Sequence, residues 1–177
     1  MINNHSLFEL RISGLDDAAE ISQTWATHTI SILDTVFARM LLVTETFYEK
    51  QIPKPRDGLS LYRCYFDDVT PENEVTSATD FGLILATLED IQALLDFTGR
   101  LAVNDKLLVH CGAGISRSTA VATGILCQHG LSPAEALKQV FFVRKNAFPN
   151  TYIIALMDKV LELNGELEGA LQAYQPF

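Results

Sequence analysis

Residue types and spacing suited to anion chemistry fall together in one short run, Lys106-Leu107-Leu108-Val109-His110-Cys111-Gly112-Ala113-Gly114-Ile115-Ser116-Arg117-Ser118. An apolar stretch of strand character meets a His-Cys pair, then a glycine-bearing turn, then an arginine where a helical pattern begins. A turn entering a helix N-terminus aims several backbone N–H groups at one spot, and these donors together with the helix dipole bind an anion. The same field favours the thiolate of a cysteine at its centre, which makes Cys111 the candidate nucleophile. Arg117 adds a planar, permanently charged fork able to bond two phosphate oxygens at once, which a lysine ammonium does not do. The chemistry implied is a phosphate held against a thiolate, with Gly112, Ala113, Gly114, Ile115, Ser116 and Arg117 as the binding turn.

Displacing an oxygen leaving group from phosphate needs a proton donor, a carboxyl on a loop facing the turn that can later act as base toward water. Asp67 and Asp68 follow an apolar strand and precede a turn at Pro71; either fits from the residues alone. His110 is expected to orient the turn through backbone hydrogen bonds rather than act as a base. Ser118 is placed to donate a hydrogen bond to the Cys111 sulfur and help it depart. Cys64, on a strand, and Cys127, on an apolar helix, are expected to pack in the core; the alternative for Cys64 is a protective disulfide with oxidised Cys111. His5, His28 and His129 are scattered and lack metal-ligand spacing, so neither a metal site nor a cofactor is expected.

The elements that must hold these residues can be read from periodicity. Phe8 to Ile12 and Thr27 to Leu33 alternate like strands, with a short helix from Asp16 to Gln23 between them. Leu61 to Phe66 reads as a third strand. From Thr79 to Phe97 the apolar residues Phe81, Ile84, Leu85, Leu88, Ile91 and Leu95 recur at helical steps, and Gly99 is expected to stop that helix. Leu107 to His110 is a short apolar strand of the kind buried in a parallel sheet. A helix from Ser116 to His129 should end at Gly130. The capping box Ser132-Pro133-Ala134-Glu135 opens another, carrying Ala136, Leu137, Val140 and Phe141 inward. Asn150 caps a last helix running to Leu163, with Ile153, Leu156, Val160 and Leu163 on one face. The stretch from Asp34 to Lys54 is ambiguous between helix and loop. This order of elements predicts an α/β fold, a mostly parallel central sheet with helices on both faces, and a ligand turn at the carboxyl edge of a strand.

Composition sets the frame. The chain has 177 residues, enough for one domain spanning 1–177 with a proper core. Residues are 48% hydrophobic, yet no run approaches the roughly 18 uninterrupted apolar residues that span a bilayer, so membrane insertion is not expected. Met1-Ile2-Asn3-Asn4-His5 lacks the basic start and apolar centre of a signal peptide. Three irregularly spaced cysteines argue against a disulfide framework and for a reducing, cytoplasmic location. A net charge of −9 excludes a basic nucleic-acid footprint, so a phosphate must be attracted locally, by Arg117 and the turn amides. Oligomeric state is not legible.

The pattern His110-Cys111-x-x-Gly114-x-x-Arg117-Ser118 resembles the signature of the cysteine-dependent protein tyrosine phosphatases, and Gly114-Ile115-Ser116-Arg117-Ser118 is most similar to the dual-specificity branch. Trp25 to Leu33, with its Thr27-His28 pair, and Arg144 followed by Phe148-Pro149-Asn150 extend the resemblance over roughly Trp25 to Leu163. The chain departs from the branch in a long insertion after Leu33 and extended spacing between Asp68 and Cys111. The resemblance implies a phosphatase-like fold and hydrolysis of a phosphomonoester through a cysteinyl-phosphate. It also implies a phosphorylated protein or peptide as substrate, and Asp68, two residues past Phe66, as the general acid with Asp67 the alternative. Three rival readings follow from the same turn: a phosphatase of phosphoinositides or other non-protein substrates, a catalytically silent phosphate-binding module, and a sulfur-transfer or arsenate-reducing enzyme.

Overall fold

The computed structural model describes residues 7–36, 50–72 and 82–174. Four strands, β1 (Glu9–Ser13), β2 (His28–Leu33), β3 (Ser60–Tyr65) and β4 (Lys106–His110), form a wholly parallel sheet in the order β1-β4-β2-β3. The helices are α1 (Leu15–Thr24), α2 (Leu88–Thr98), α3 (Arg117–Gln128), α4 (Pro133–Val143), α5 (Thr151–Val160) and α6 (Glu166–Ala173). The β1-to-β2 connection steps across the sheet in one direction and β3-to-β4 in the other. Right-handed crossovers taken in opposite directions put α1 and α2 on opposite faces.

Alternation along the strands shows how unequal those faces are. Ile30, Ile32, Leu107 and Val109 join the main core with residues of α2 to α6. On the other face Leu33 packs with Leu15 of α1, Thr29 shares a buried hydrogen bond of 3.0 Å with Ser22, and Ser31 meets His110. The helix-rich face therefore carries most of the apolar burial, while the α1 face is a thinner layer sewn by hydroxyls. Because every strand points the same way, Gly14, Asp34, Phe66 to Asp68 and Cys111 all emerge at one edge.

Two helices depart from the expected pattern. The helix expected from Thr79 begins at Leu88; Thr79 to Phe81 lie outside the described residues, and 82–87 are not helical. The Ile84 N–H donates to the Asp67 carboxylate and its carbonyl accepts from the Asp67 N–H, both at 2.8 Å, which holds this segment extended. Thr87 and Asp90 then form a reciprocal capping box that starts α2 more than two turns after the periodicity suggests. The helix does end at Gly99, but with that residue in the right-handed region (φ −62°) rather than in a left-handed turn. The last expected helix stops at Val160, short of Leu163, and α6 follows as a separate element. Its exposed amides are capped from α5, where the buried Asp158 carboxylate accepts from Gly165, Leu167 and Glu168 N–H at 2.7, 2.7 and 3.2 Å. The caps read at Ser132/Glu135 and Asn150 are both formed, and Gly130 at φ +92° follows the end of α3. Within the ambiguous stretch from Asp34 to Lys54, residues 37–49 lie outside the described residues.

Candidate active site

The turn after β4 is built so that its carbonyls face outward. Gly112 O accepts from Leu15 N at 2.9 Å, Ala113 O from Arg144 Nη2 at 3.0 Å, and Gly114 O from Arg144 Nε at 2.9 Å. Ile115 O accepts from Phe148 N (2.8 Å) and Thr119 Oγ1 (2.6 Å), and Ser116 O from Thr119 Oγ1 and Ala120 N. A peptide plane with its carbonyl tied outward turns its N–H inward. The amides of Gly112, Ala113, Ile115 and Ser116 have no acceptor among the described residues, and α3 adds the free N–H groups of its first turn. Gly114 sits at φ +70° against the Ser13-Gly14 corner, where any Cβ would overlap the Ser13 carbonyl, so only glycine closes the turn.

Cys111 lies at the focus of this nest, 2% exposed, with its Sγ 3.3 Å from both Gly114 N and Ser118 Oγ. Both groups can donate to a sulfur anion. His110 is fully buried, its Nε2 2.8 Å from Ser31 Oγ and its Nδ1 3.4 Å from the Cys111 carbonyl. Burial, reinforced by Arg63 and Arg117, lowers its pKa to about 4 against the hydrogen bond to Cys111 O, so the imidazole is neutral near pH 7. A neutral ring bridging Ser31 and the start of the turn suits a part in orientation. The other two thiols are inert by contrast: burial, with the negative charge of Asp90 or Asp158, pushes Cys64 and Cys127 up to about 12. Cys64 belongs to the main core and Cys127 packs against it.

Arg117 opens α3 and is 3% exposed. Its Nη1 is held twice, by the Phe66 carbonyl at 2.8 Å and by Asp34 Oδ1 at 2.7 Å. Its Nε is buried with no acceptor among the described residues. A buried, unpaired N–H on a cation is costly unless a ligand completes it, and an oxyanion over the turn would do so.

The two aspartates flagged by sequence separate cleanly. Asp67 is buried and fully used: Oδ1 accepts from Thr35 N (3.0 Å), Oδ2 from Thr35 Oγ1 (2.6 Å) and Ile84 N (2.8 Å). Asp68 is exposed beside the turn, with Oδ1 accepting from Ser116 Oγ at 2.7 Å and Asn150 Nδ2 at 2.9 Å. Its Oδ2 makes no hydrogen bond among the described residues. Asp34, Asp67 and Asp68 also line a cleft of about 440 Å³ with Thr35, Val36, Val69 and Leu83.

The structure thus brings Cys111, Arg117, Asp68, the turn residues, His110 and Ser118 to one place. Arg144 and Asn150, named from sequence only for the resemblance and a helix cap, take part in the site: Arg144 clamps two turn carbonyls and Asn150 holds Asp68 as well as capping α5. Sequence reading missed Asp34, which pairs with Arg117. The signal for Asp34 was its place directly after the second strand, at the same edge as Cys111.

No protein-family model matches the chain. Tyrosine-protein phosphatase yvh1 of Schizosaccharomyces pombe is 36% identical over 76 residues; the match covers 42% of this chain and 23% of that protein. Among solved structures, a variant of human DUSP28 superposes with a TM-score of 0.52 at 20% identity, covering 89% of this chain and 95% of that one. PTPMT1 in complex with PI(5)P gives 0.51 at 19%, covering 89% of each chain. Among the described residues no helix is long and apolar enough to cross a membrane.

Proposed function

We propose that this chain, a member of the cysteine-dependent protein tyrosine phosphatase superfamily with a dual-specificity-like fold, hydrolyses phosphomonoesters on proteins or peptides through a cysteinyl-phosphate. The observation that carries the reading is the turn itself: five carbonyls tied outward, unpaired amides directed inward, Cys111 Sγ at the focus and an unpaired guanidinium N–H beside it. In the first step the Cys111 thiolate attacks phosphorus; the S–P bond forms as the bond to the leaving oxygen breaks, and Asp68 gives that oxygen its proton. In the second step Asp68 takes a proton from water as the water oxygen attacks phosphorus. The S–P bond breaks, the electron pair returns to sulfur, and inorganic phosphate leaves. Ser118 Oγ and Gly114 N–H stabilise the departing thiolate, while the turn amides and Arg117 hold the equatorial oxygens, where charge stabilisation and positioning supply most of the acceleration. One large core shared by strands and helices supports reading 1–177 as a single phosphatase domain. The three free thiols suit a reducing, cytoplasmic setting.

The roles of the two aspartates lead to distinct expected outcomes. Asp68→Asn is expected to depress turnover most for alkyl phosphates, whose leaving groups need protonation, and least for activated aryl phosphates, and to flatten the basic limb of the pH–rate profile. Asp67→Asn is expected to lower stability instead, because an amide cannot accept all three hydrogen bonds; losing one charge-assisted bond costs about 1.5–3 kcal/mol. Thermal melts and rates over a leaving-group series separate the two, and a leaving-group dependence that follows Asp67 exchanges their roles.

The cleft beside the turn supports phosphotyrosine as the preferred substrate. Val36, Val69 and Leu83 offer an apolar wall, and its acidic lining residues repel further phosphates; among the described residues none of the lining is Lys or Arg. PTPMT1 binds PI(5)P in its own structure, and the likeness to it is one of fold. Steady-state comparison of a phosphotyrosyl peptide with a soluble phosphoinositide head group tests the reading. Higher kcat/KM for the peptide is expected, and higher kcat/KM for the head group overturns the substrate class.

A further inference from the structure

We infer that Asp34 is a positioning residue for Arg117, fixing which edge of the guanidinium meets the substrate; the inference rests on the phosphatase reading above. Arginine has five N–H donors in a rigid plane, two of them on Nη1. Its Nη1 is engaged at the strand edge, donating to Phe66 O just past β3 at 2.8 Å and ion-paired with Asp34 Oδ1 just past β2 at 2.7 Å. That leaves the Nε–Nη2 edge, whose parallel N–H vectors match two oxygens of a phosphate. Nη2 lies 3.6 Å from the point where a Cβ on Gly112 would sit, and Asp34 Oδ2 lies 3.8 Å from the same point, so the open edge and its clamp both border the anion turn. The Asp34 side chain is 32% exposed and that of Arg117 only 4%, so the carboxylate closes the outer side of a buried cation.

Without Asp34, Nη1 would keep only the Phe66 carbonyl, and the guanidinium would be freer to turn that group toward an incoming oxyanion. With Asp34 in place the fork is set before substrate arrives, which is where rate is gained from orientation. Asp34 touches neither substrate nor sulfur in this scheme and acts through Arg117.

The test follows the Arg117 Nε–Hε resonance, assigned by its loss in Arg117→Lys, while inorganic phosphate is titrated into the whole protein, alongside kcat on a phosphotyrosyl peptide. In the wild type the resonance is expected to shift with phosphate. Asp34→Ala is expected to raise the phosphate midpoint and lower kcat, each roughly 10–100-fold, the scale of a misplaced positioning group. Asp34→Asn, which keeps an oxygen within reach of Nη1, should recover most of both. A phosphate midpoint and kcat in Asp34→Ala close to those of the wild type overturn the inference, as does tighter phosphate binding, the result expected if Asp34 did no more than offset charge. Should Asp34→Ala not fold, Asp34→Ser, too short to reach Nη1, carries the same comparison. A wild-type resonance that responds to phosphate and to Asp34, in a protein that releases no phosphate from any phosphomonoester, supports the positioning role and refutes the phosphatase reading.

Discussion

Replacing Cys111 with serine is expected to abolish turnover while leaving the protein folded and able to bind phosphate. The two side chains differ by one atom, and the hydrogen bonds that converge on the sulfur, from Gly114 N and Ser118 Oγ, can be made to an oxygen after a small adjustment. The turn is held from outside by Leu15, Arg144, Thr119 and Phe148, none of which touches the sulfur, so its amides stay in place. What is lost is the nucleophile, since a serine hydroxyl in the same field remains protonated and attacks phosphorus poorly. Removing the nucleophile of a covalent enzyme costs on the order of 10⁴-fold or more in kcat. Retention of more than a few per cent of wild-type rate in Cys111→Ser would falsify the assignment.

Arg117→Lys is expected to lose ~10²–10³ in rate, about 3–4 kcal/mol, even though the charge is kept. The guanidinium does two things at once: one terminal nitrogen is spent on Phe66 O and Asp34, and the opposite edge remains open beside the turn. An ammonium that sits near Asp34 has no second nitrogen to turn toward phosphate, and one that turns toward phosphate abandons the clamp. Either way bidentate contact disappears. Single-turnover rates on a phosphotyrosyl peptide check this, and normal turnover by Arg117→Lys contradicts the fork argument.

The parts of the site that lie next to one another in the chain could be read from sequence, because strand, turn and helix N-terminus are local physics. His110, Cys111, Gly114, Arg117 and Ser118 fall where the residue spacing suggests. So do the caps at Ser132 and Asn150, since a capping residue and its amide are neighbours in sequence. The rest depends on the sheet order. Asp34 reaches Arg117 only because β2 lies directly beside β4, and no periodicity in the chain encodes that neighbour. Asp67 and Asp68 look equivalent on paper and are separated by the path of the chain just past β3, which sends Asp67 inward to Thr35 and Ile84 and Asp68 outward to Ser116 and Asn150. The same Asp67–Ile84 pairing explains the delayed start of α2, where a long-range contact overrides helical periodicity. The helix α6 escaped notice because its cap, Asp158, comes from the preceding helix rather than from the residue before it.

The central claim is that phosphate passes through a covalent bond to Cys111. It is tested most directly by acid-quenching the protein during turnover of a labelled phosphotyrosyl peptide and mapping the label by mass spectrometry. The account predicts phosphate on the peptide that contains Cys111, present in the wild type and absent in Cys111→Ser. Turnover with no labelled protein, or label carried by His110 or Ser118 instead, would contradict it.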